Sequence, residues 1–161
     1  HYVGTFGTEV GEVIAPLDFG APEGFAFGLQ DIYQQSDTRL LLMTTSSGWC
    51  AACKEEQPTL ASIHSEFRES GLEIMVVLFQ KQDYSAADIR MAERWKDRYE
   101  LDFPVVADPE FITQPYYPGG DASATPLVMI IDTRTMEILF KATGFREQTV
   151  RALVENRLGV P

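Results

Sequence analysis

The chain has 161 residues, of which 45% are hydrophobic, and a formal net charge of −11 at pH 7. This length and composition predict one globular domain over residues 1–161, and the acidity disfavours nucleic acid and anionic lipid as partners because both are negatively charged. No apolar run is long enough to span a bilayer. Only two cysteines are present, which excludes a framework of structural disulfides and a four-cysteine zinc site.

The N-terminal part, residues 1–38, is rich in Gly, Pro and acidic residues, with short apolar pieces at 13–14 and 25–27. We interpret it as an extension of strands and turns ahead of a core formed by the rest of the chain, 39–161. The apolar run at 39–44 predicts a buried central strand, and the polar residues 45–48 predict a turn that leads out of it.

A helix is predicted over residues 50–70, with a kink at Pro58, and Gly71 ends it. One face of this helix carries Leu60, Ile63, His64 and Phe67. Because His64 lies on this apolar stripe, we interpret it as a packed residue rather than a metal ligand. The apolar run at 72–79 predicts a second buried strand.

Helices and strands continue to alternate through the second half of the chain. The predicted elements are a helix at 86–99, an extended piece at 103–106, hairpin strands at 127–131 and 136–141, and a helix at 147–158. Ser85 is the candidate N-cap of the first of these helices, which lies within the segment at about 80–110. Strands alternating with helices, followed by a hairpin, predict an α/β fold with a mixed central sheet flanked by helices.

The segment Trp49-Cys50-Ala51-Ala52-Cys53 lies between the central strand and the first long helix. The thiolate is the reactive form of cysteine, and the amide groups at a helix N-terminus favour that anion at Cys50. Cys53 follows about one helical turn later, within reach of the Cys50 sulfur. We therefore predict a redox-active pair in which Cys50 attacks and Cys53 resolves.

Residues 49–58, WCAACKEEQP, resemble the W-C-x-x-C-[KR]-x-E-x-P signature of TlpA-like thiol–disulfide oxidoreductases in the thioredoxin superfamily. Later segments, 108–109 and 124–126, are similar to landmarks of that family and of its AhpC/TSA-type relatives. The resemblance implies a thioredoxin-like fold with an N-terminal strand extension and a helical insertion after the second core strand. It also implies an enzyme that exchanges disulfides with protein substrates, in the reducing direction.

The same resemblance implies an extracytoplasmic location, in the bacterial periplasm or at its membrane surface, although the chain itself carries no signal or anchor sequence. An upstream redox donor would supply the electrons, and the Cys50–Cys53 disulfide would be the redox group, with no other cofactor and no metal. We expect a monomer.

Three further roles follow from the resemblance. Pro126 resembles the cis-proline that faces the active-site disulfide, which leaves the backbone of Thr125 able to pair with an extended substrate. Glu56 matches an acidic residue suited to proton transfer as Cys53 attacks or leaves, and Trp49 would shield the sulfurs at the substrate-binding face. The alternatives are a trans proline that opens a strand, a solvated surface glutamate and an ordinary buried aromatic residue.

Two neighbouring features bear on the same site. Thr44 stands where thioredoxin itself carries a buried Asp, which favours the TlpA-like branch. Tyr116, Tyr117 and Pro118 precede the Pro126 loop, where they either rim the substrate groove or form a surface loop.

Two other functions stay open. A thiol peroxidase of peroxiredoxin type is partly supported, because Ser47 occupies the hydroxyl position of the P-x-x-x-[TS]-x-x-C pattern, whereas Met43 replaces its proline. A non-enzymatic module is the other alternative, either a metal-handling carrier that uses both cysteines or a domain that only docks a partner. The direction of electron flow depends on the redox potential, which the sequence does not specify.

Overall fold

The computed structural model describes residues 2–22, 24, 26–33 and 35–161. Its strands are β1 (Asp18–Gly20), β2 (Ala26–Gly28), β3 (Leu40–Ser47), β4 (Leu72–Gln80), β5 (Val105–Ala107), β6 (Leu127–Asp132) and β7 (Ile138–Thr143). Its helices are α1 (Leu29–Tyr33), α2 (Ala51–Glu55), α3 (Gln57–Phe67), α4 (Ile89–Arg98) and α5 (Glu147–Leu158). Phe25, part of the apolar piece predicted at 25–27, lies outside the described residues, and the remainder of that piece belongs to β2.

The strands form one mixed sheet in the order β2-β1-β5-β4-β3-β6-β7. The central strand β3 pairs parallel with β4 and antiparallel with β6, and β5 adds to β4 in parallel. The β6–β7 hairpin closes one side, and the antiparallel β1–β2 extension closes the other. The prediction of a mixed α/β sheet with an N-terminal strand extension is confirmed.

The core has two layers because successive side chains of a strand point to opposite faces of the sheet. Leu40 and Leu42 of β3 pack in the layer beneath α3, α4 and α5. Leu41 and Met43 pack in the layer covered by α1, the N-terminal segment and the loop that holds Tyr116 and Tyr117. The central strand is therefore covered on both faces and bonded on both edges.

Strand β3 continues through residues 45–47, so the turn predicted there is wrong. All eight residues of β3 are buried. Thr45 pairs with Val77 of β4 and Leu127 of β6, which gives the polar segment the same two neighbours as the apolar segment before it. Tertiary burial thus overrides the local preference of short polar residues for turns.

The helix predicted over 50–70 is two helices with a break at Glu56. Pro58 lies in the first turn of α3, where its missing N–H costs little, whereas it could not continue the hydrogen bonding of α2. The side chain of Gln57 donates to the carbonyl oxygen of Cys53 at 2.7 Å. A 3₁₀ turn extends α3, and Gly71, at φ +108°, ends it as predicted.

Helix α4 is capped by Asp88 and not by Ser85. The Asp88 carboxylate accepts from the Met91 amide at 2.8 Å, whereas Ser85 bonds to Asp83 in the preceding loop. Residues 86–88 are extended, and the Ala87 amide donates to the Phe79 carbonyl. The helix therefore begins three residues later than its sequence suggests.

The remaining elements agree with the sequence in kind. Helix α5 lies where it is predicted and β6 begins where it is predicted, whereas β7 begins and ends two residues later than the strand predicted at 136–141. Strand β5 begins at Val105, two residues into the extended piece predicted at 103–106. His64 is buried and packs edge-on against Phe103, with its Nε2 3.1 Å from a Glu73 carboxylate oxygen. None of the described helices is both long and apolar enough to span a membrane.

Candidate active site

The two cysteines lie where strand β3 leads into helix α2. Cys50 is the N-cap of α2 and forms a disulfide with Cys53 inside the helix, with their Cα atoms 5.3 Å apart. The Cys53 amide lies 3.1 Å from the Cys50 sulfur, and this donor would stabilise a thiolate there after reduction. Cys50 keeps 6% of its surface exposed, whereas Cys53 is fully buried. Only Cys50 therefore offers surface to a second molecule.

The loop before β6 faces the disulfide. The Thr125–Pro126 peptide bond is cis, and the carbonyl oxygen of Thr125 lies 3.6 Å from the Cys50 sulfur. The Pro126 carbonyl accepts from the Gly144 amide at 2.7 Å, which ties the loop to the end of β7. The structure thus brings together four residues that the sequence placed in one site, namely Cys50, Cys53, Thr125 and Pro126. Thr125 and Cys50 are 75 positions apart in the chain.

Glu56 is buried, so the alternative of a solvated surface glutamate is wrong. Its surface is only 4% exposed, and among the described residues neither carboxylate oxygen has a hydrogen-bond partner. Burial raises the pKa of Glu56 to about 8, and a weak interaction with the Thr44 hydroxyl opposes that rise. Close to neutral pH this carboxyl group can therefore hold or release a proton.

A cavity of about 300 Å³ lies beside the cysteine motif. Its lining consists of Ala52, Glu55, Glu56, Thr59, Phe145 and Glu147. Ala52 stands between the two cysteines in sequence, so the cavity reaches both the motif and the buried carboxyl group. Glu55 and Glu147 give this side of the site negative charge, whereas Glu56, with its pKa raised to about 8, mostly holds its proton at neutral pH.

Trp49 is half-buried and belongs to an aromatic cluster beside Cys50. Its indole N–H donates to the Gln80 side chain at 2.9 Å. One face of the ring stacks on Tyr84, with centroids 5.7 Å apart, and its edge meets Phe79. These contacts fix the orientation of Trp49 next to the reactive sulfur.

Thr45 and Tyr117 form a buried contact near the site that the sequence does not predict. The Tyr117 hydroxyl contacts the hydroxyls of both Thr45 and Thr125. Tyr116 and Tyr117 are 4% and 2% exposed, so neither forms the rim of a groove or a surface loop as predicted. The contact between Thr45 and Tyr117 spans 72 positions and leaves no local signal in the sequence.

Metal binding by clustered side chains finds no support in the described part of the chain. Across residues 2–22, 24, 26–33 and 35–161, no group of three or more His, Cys, Asp or Glu side chains is placed to hold a metal ion. The metal-handling alternative would rest on the two cysteines alone.

Comparison with known families identifies the wider group. A family model described as AhpC/TSA matches residues 14–136, which include both cysteines and Pro126. The chain belongs to the AhpC/TSA family. The prediction of a thioredoxin-superfamily protein related to the AhpC/TSA redoxins is therefore confirmed.

Two curated relatives of the chain are named as a thiol-disulfide oxidoreductase and as a thioredoxin-like protein. The thiol-disulfide oxidoreductase ResA of Halalkalibacterium halodurans is 25% identical over 107 residues, covering 66% of this chain and 56% of that protein. The thioredoxin-like protein YneN of Bacillus subtilis is 23% identical over 107 residues, covering 66% of this chain and 58% of that protein. The matched region thus spans little more than half the length of these relatives.

Solved structures share the fold. A thiol:disulfide interchange protein from Bacteroides sp. has a TM-score of 0.72 at 16% identity, covering 94% of this chain and 91% of that one. A secreted thiol-disulfide isomerase from Corynebacterium glutamicum has a TM-score of 0.73 at 18% identity, covering 92% and 86%. At these identities the likeness concerns the fold, and it confirms the predicted thioredoxin-like architecture.

Proposed function

We propose that the chain is a thiol–disulfide oxidoreductase that reduces protein disulfides through Cys50 and Cys53. The observation that carries the proposal is the unequal exposure of a disulfide-bonded pair at the start of a helix, with Cys50 reachable and Cys53 fully buried. The names of the relatives support the same activity.

The reaction proceeds in two exchanges. The Cys50 thiolate attacks one sulfur of the substrate disulfide, that S–S bond breaks, and the other substrate sulfur leaves as a thiolate. Cys53 then attacks the Cys50 sulfur, releases the second substrate thiolate and forms the internal disulfide. An upstream donor returns two electrons to this disulfide, and no other cofactor takes part.

Four residues support the exchange in this proposal. An extended substrate segment lies along the backbone of Thr125 and Pro126, next to the Cys50 sulfur. Trp49 forms the other wall of the contact. Glu56 exchanges a proton with Cys53 as that sulfur attacks or leaves, which suits a carboxyl group whose pKa is about 8.

Substitution of each cysteine tests the roles. We expect Cys50→Ser to reduce the rate of protein-disulfide reduction to the uncatalysed level. Cys53→Ser should instead accumulate a mixed disulfide with the substrate, which mass spectrometry under non-reducing conditions detects. Full turnover by Cys50→Ser would contradict the proposal, and trapping at Cys53 in a Cys50→Ser variant would reverse the assigned order.

The direction of electron flow is tested by equilibrating the cysteine pair against glutathione buffers. Thiol–disulfide reductases have reduction potentials of about −270 mV, and strong oxidants have reduction potentials of about −120 mV. We expect a value at the negative end. A value near the oxidising end would identify a disulfide donor that uses the same two cysteines.

A thiol peroxidase is the second candidate, because the chain belongs to the AhpC/TSA family and Ser47 occupies the hydroxyl position of the peroxidatic pattern. Met43, at the position of the proline, is buried within β3. Consumption of hydrogen peroxide by the reduced protein, with a sulfenic acid trapped at Cys50, would favour this activity over disulfide exchange.

We further propose that the protein acts outside the cytoplasm, as a monomer, on protein thiols and disulfides. A solved structure of similar fold is described as secreted, which supports this location. The net charge of −11 argues against nucleic acid as a partner.

A further inference from the structure

Three hydroxyl groups connect the central strand to the loop that faces the disulfide. The Thr45 hydroxyl, in β3, is in hydrogen-bond contact with the Tyr117 hydroxyl. The Tyr117 hydroxyl lies 2.9 Å from the Thr125 Oγ1 atom. Thr125 in turn donates its own hydroxyl proton to the carbonyl oxygen of Ala122 at 2.6 Å. The last of the three hydroxyls thus belongs to Thr125, whose carbonyl oxygen lies beside the Cys50 sulfur.

The last of these bonds determines the direction of the others. Because the hydroxyl proton of Thr125 goes to Ala122, its oxygen must accept the proton of Tyr117. The Tyr117 oxygen then accepts from Thr45. Burial, through desolvation, raises the pKa of Tyr117, so the phenol stays neutral and keeps the proton that it donates.

The ring of Tyr117 is held independently of these bonds. It is 2% exposed and packs edge-on against Phe79 and Phe111, with centroids 6.2 Å and 5.7 Å apart. A hydroxyl on a ring held in this way has a fixed position relative to β3, the strand that leads into Cys50. Its bond to Thr125 therefore places the loop relative to the cysteine.

We propose that Tyr117 and Thr45 are positioning residues, whose hydroxyls hold Thr125 at the separation from Cys50 that admits an extended disulfide substrate. This inference rests on the proposed function. The Thr125 carbonyl is 3.6 Å from the Cys50 sulfur, so a small displacement of the loop changes how a peptide backbone fits beside that sulfur. A small disulfide without a peptide backbone makes no such demand.

The test compares Tyr117→Phe with Tyr116→Phe. The first variant keeps the packed ring and removes the hydroxyl that contacts Thr125. The second removes a neighbouring buried hydroxyl that instead accepts from the Ala15 amide at 3.4 Å. Each reduced protein is assayed with a short fluorogenic peptide that carries one intramolecular disulfide, and with 2-hydroxyethyl disulfide.

For Tyr117→Phe, we expect KM for the peptide to rise about fivefold to tenfold, the loss expected for one buried hydrogen bond. We expect kcat, the rate with 2-hydroxyethyl disulfide and the equilibrium constant with glutathione to stay within about twofold. Thr45→Val, at the other end of the hydroxyl chain, should change the peptide KM in the same direction. Tyr116→Phe should match the wild type in all four measurements.

An unchanged peptide KM in both Tyr117→Phe and Thr45→Val overturns the inference. An equal loss of activity with the peptide and with 2-hydroxyethyl disulfide also overturns it, because that pattern indicates general destabilisation. A rise in the peptide KM of Tyr116→Phe equal to that of Tyr117→Phe overturns it for the same reason. A wild-type protein that fails to reduce either disulfide contradicts the proposed function itself, and this result is distinct from an active wild type with unaffected variants.

Discussion

Glu56 is a buried carboxyl group that has no hydrogen-bond partner in the part of the chain that the structure describes. Its pKa is raised from the ordinary value of 4.5 to about 8, chiefly by burial. The folded protein therefore retains a proton that the unfolded chain releases above pH 4.5. The contribution of protonated Glu56 to the free energy of unfolding is therefore fully present below pH 4.5. It is lost as the pH rises through 8.

Replacement of Glu56 by Gln should remove that pH dependence. As the pH rises from 5 to 9, we expect the wild type to lose on the order of 4 kcal/mol of unfolding free energy relative to Glu56→Gln, since about three pH units lie between 5 and the raised pKa and each corresponds to about 1.4 kcal/mol. Urea unfolding of the oxidised protein at several pH values measures this difference. Glu55→Gln, at the exposed neighbouring position, is the matched control and should leave the pH profile unchanged. If the unfolding free energies of the wild type and Glu56→Gln differed by the same amount at every pH, Glu56 would ionise normally and the inference of a raised pKa would be wrong.

The reacting sulfurs are the part of the site that the sequence predicts best. Cys50 and Cys53 lie in one short segment, and their spacing specifies both the disulfide and the difference between the two positions. The burial of Glu56 and the contact between Thr45 and Tyr117 could not be predicted in this way, because they depend on groups far apart in the chain. Polar side chains acquire these environments only when the sheet and its covering loops have assembled.

At the scale of elements, the sequence locates the interior of helices and strands better than their ends. Apolar periodicity predicts β4, α5 and the β6–β7 hairpin because those patterns extend over many residues. The start of α4 and the end of β3 depend on single hydrogen bonds and on neighbouring strands. Ser85 and Asp88 are both acceptable cap residues in sequence, and only the path of the chain after β4 selects Asp88.

Helix α4 therefore offers a direct test of its cap. We expect Asp88→Ala to lower the free energy of unfolding by about 1 kcal/mol, the usual cost of losing an N-cap. Ser85→Ala should cost much less, because its hydroxyl bonds only to Asp83 in an exposed loop. Chemical denaturation of both variants at neutral pH gives the comparison. Equal losses in the two variants would contradict the assignment of the cap.

The carboxylate of Asp88 also adds a dependence on acid. The hydrogen bond that it accepts from Lys81 lowers the pKa of Asp88, and the hydrogen bond that it accepts from the Met91 amide lowers it further. The stabilisation is therefore present above the ordinary pKa of aspartate and is lost as the pH falls through the lowered value. The stability difference between wild type and Asp88→Ala should accordingly shrink in acid.

At the scale of the whole molecule, charge should influence the choice of substrate. The net charge is −11, and Glu55 and Glu147 line the cavity beside the cysteines. Such a field attracts cationic segments and repels anionic ones, over a range of about 10 Å at 0.1 M salt.

We expect a lysine-rich peptide disulfide to react with a higher kcat/KM than a glutamate-rich peptide of the same length. The difference should arise mainly from association and should decrease as sodium chloride is added, since salt screens exposed charges. Stopped-flow kinetics over a range of salt concentrations measures both effects. A preference that persists unchanged at 1 M salt would point to shape rather than charge.

The two outer strands of the sheet have a consequence for the behaviour of the protein in concentrated mixtures. Strand β2 is only three residues long. At the other edge, Ile138 of β7 exchanges hydrogen bonds with Gly11 and Glu12, and Lys141 is bound by Thr8 and Glu9. Short or covered edges of this kind are poor templates for the stacking of extended chains into fibrils. A molecule proposed to bind extended segments of protein substrates is thereby protected from aggregating with them through its own sheet.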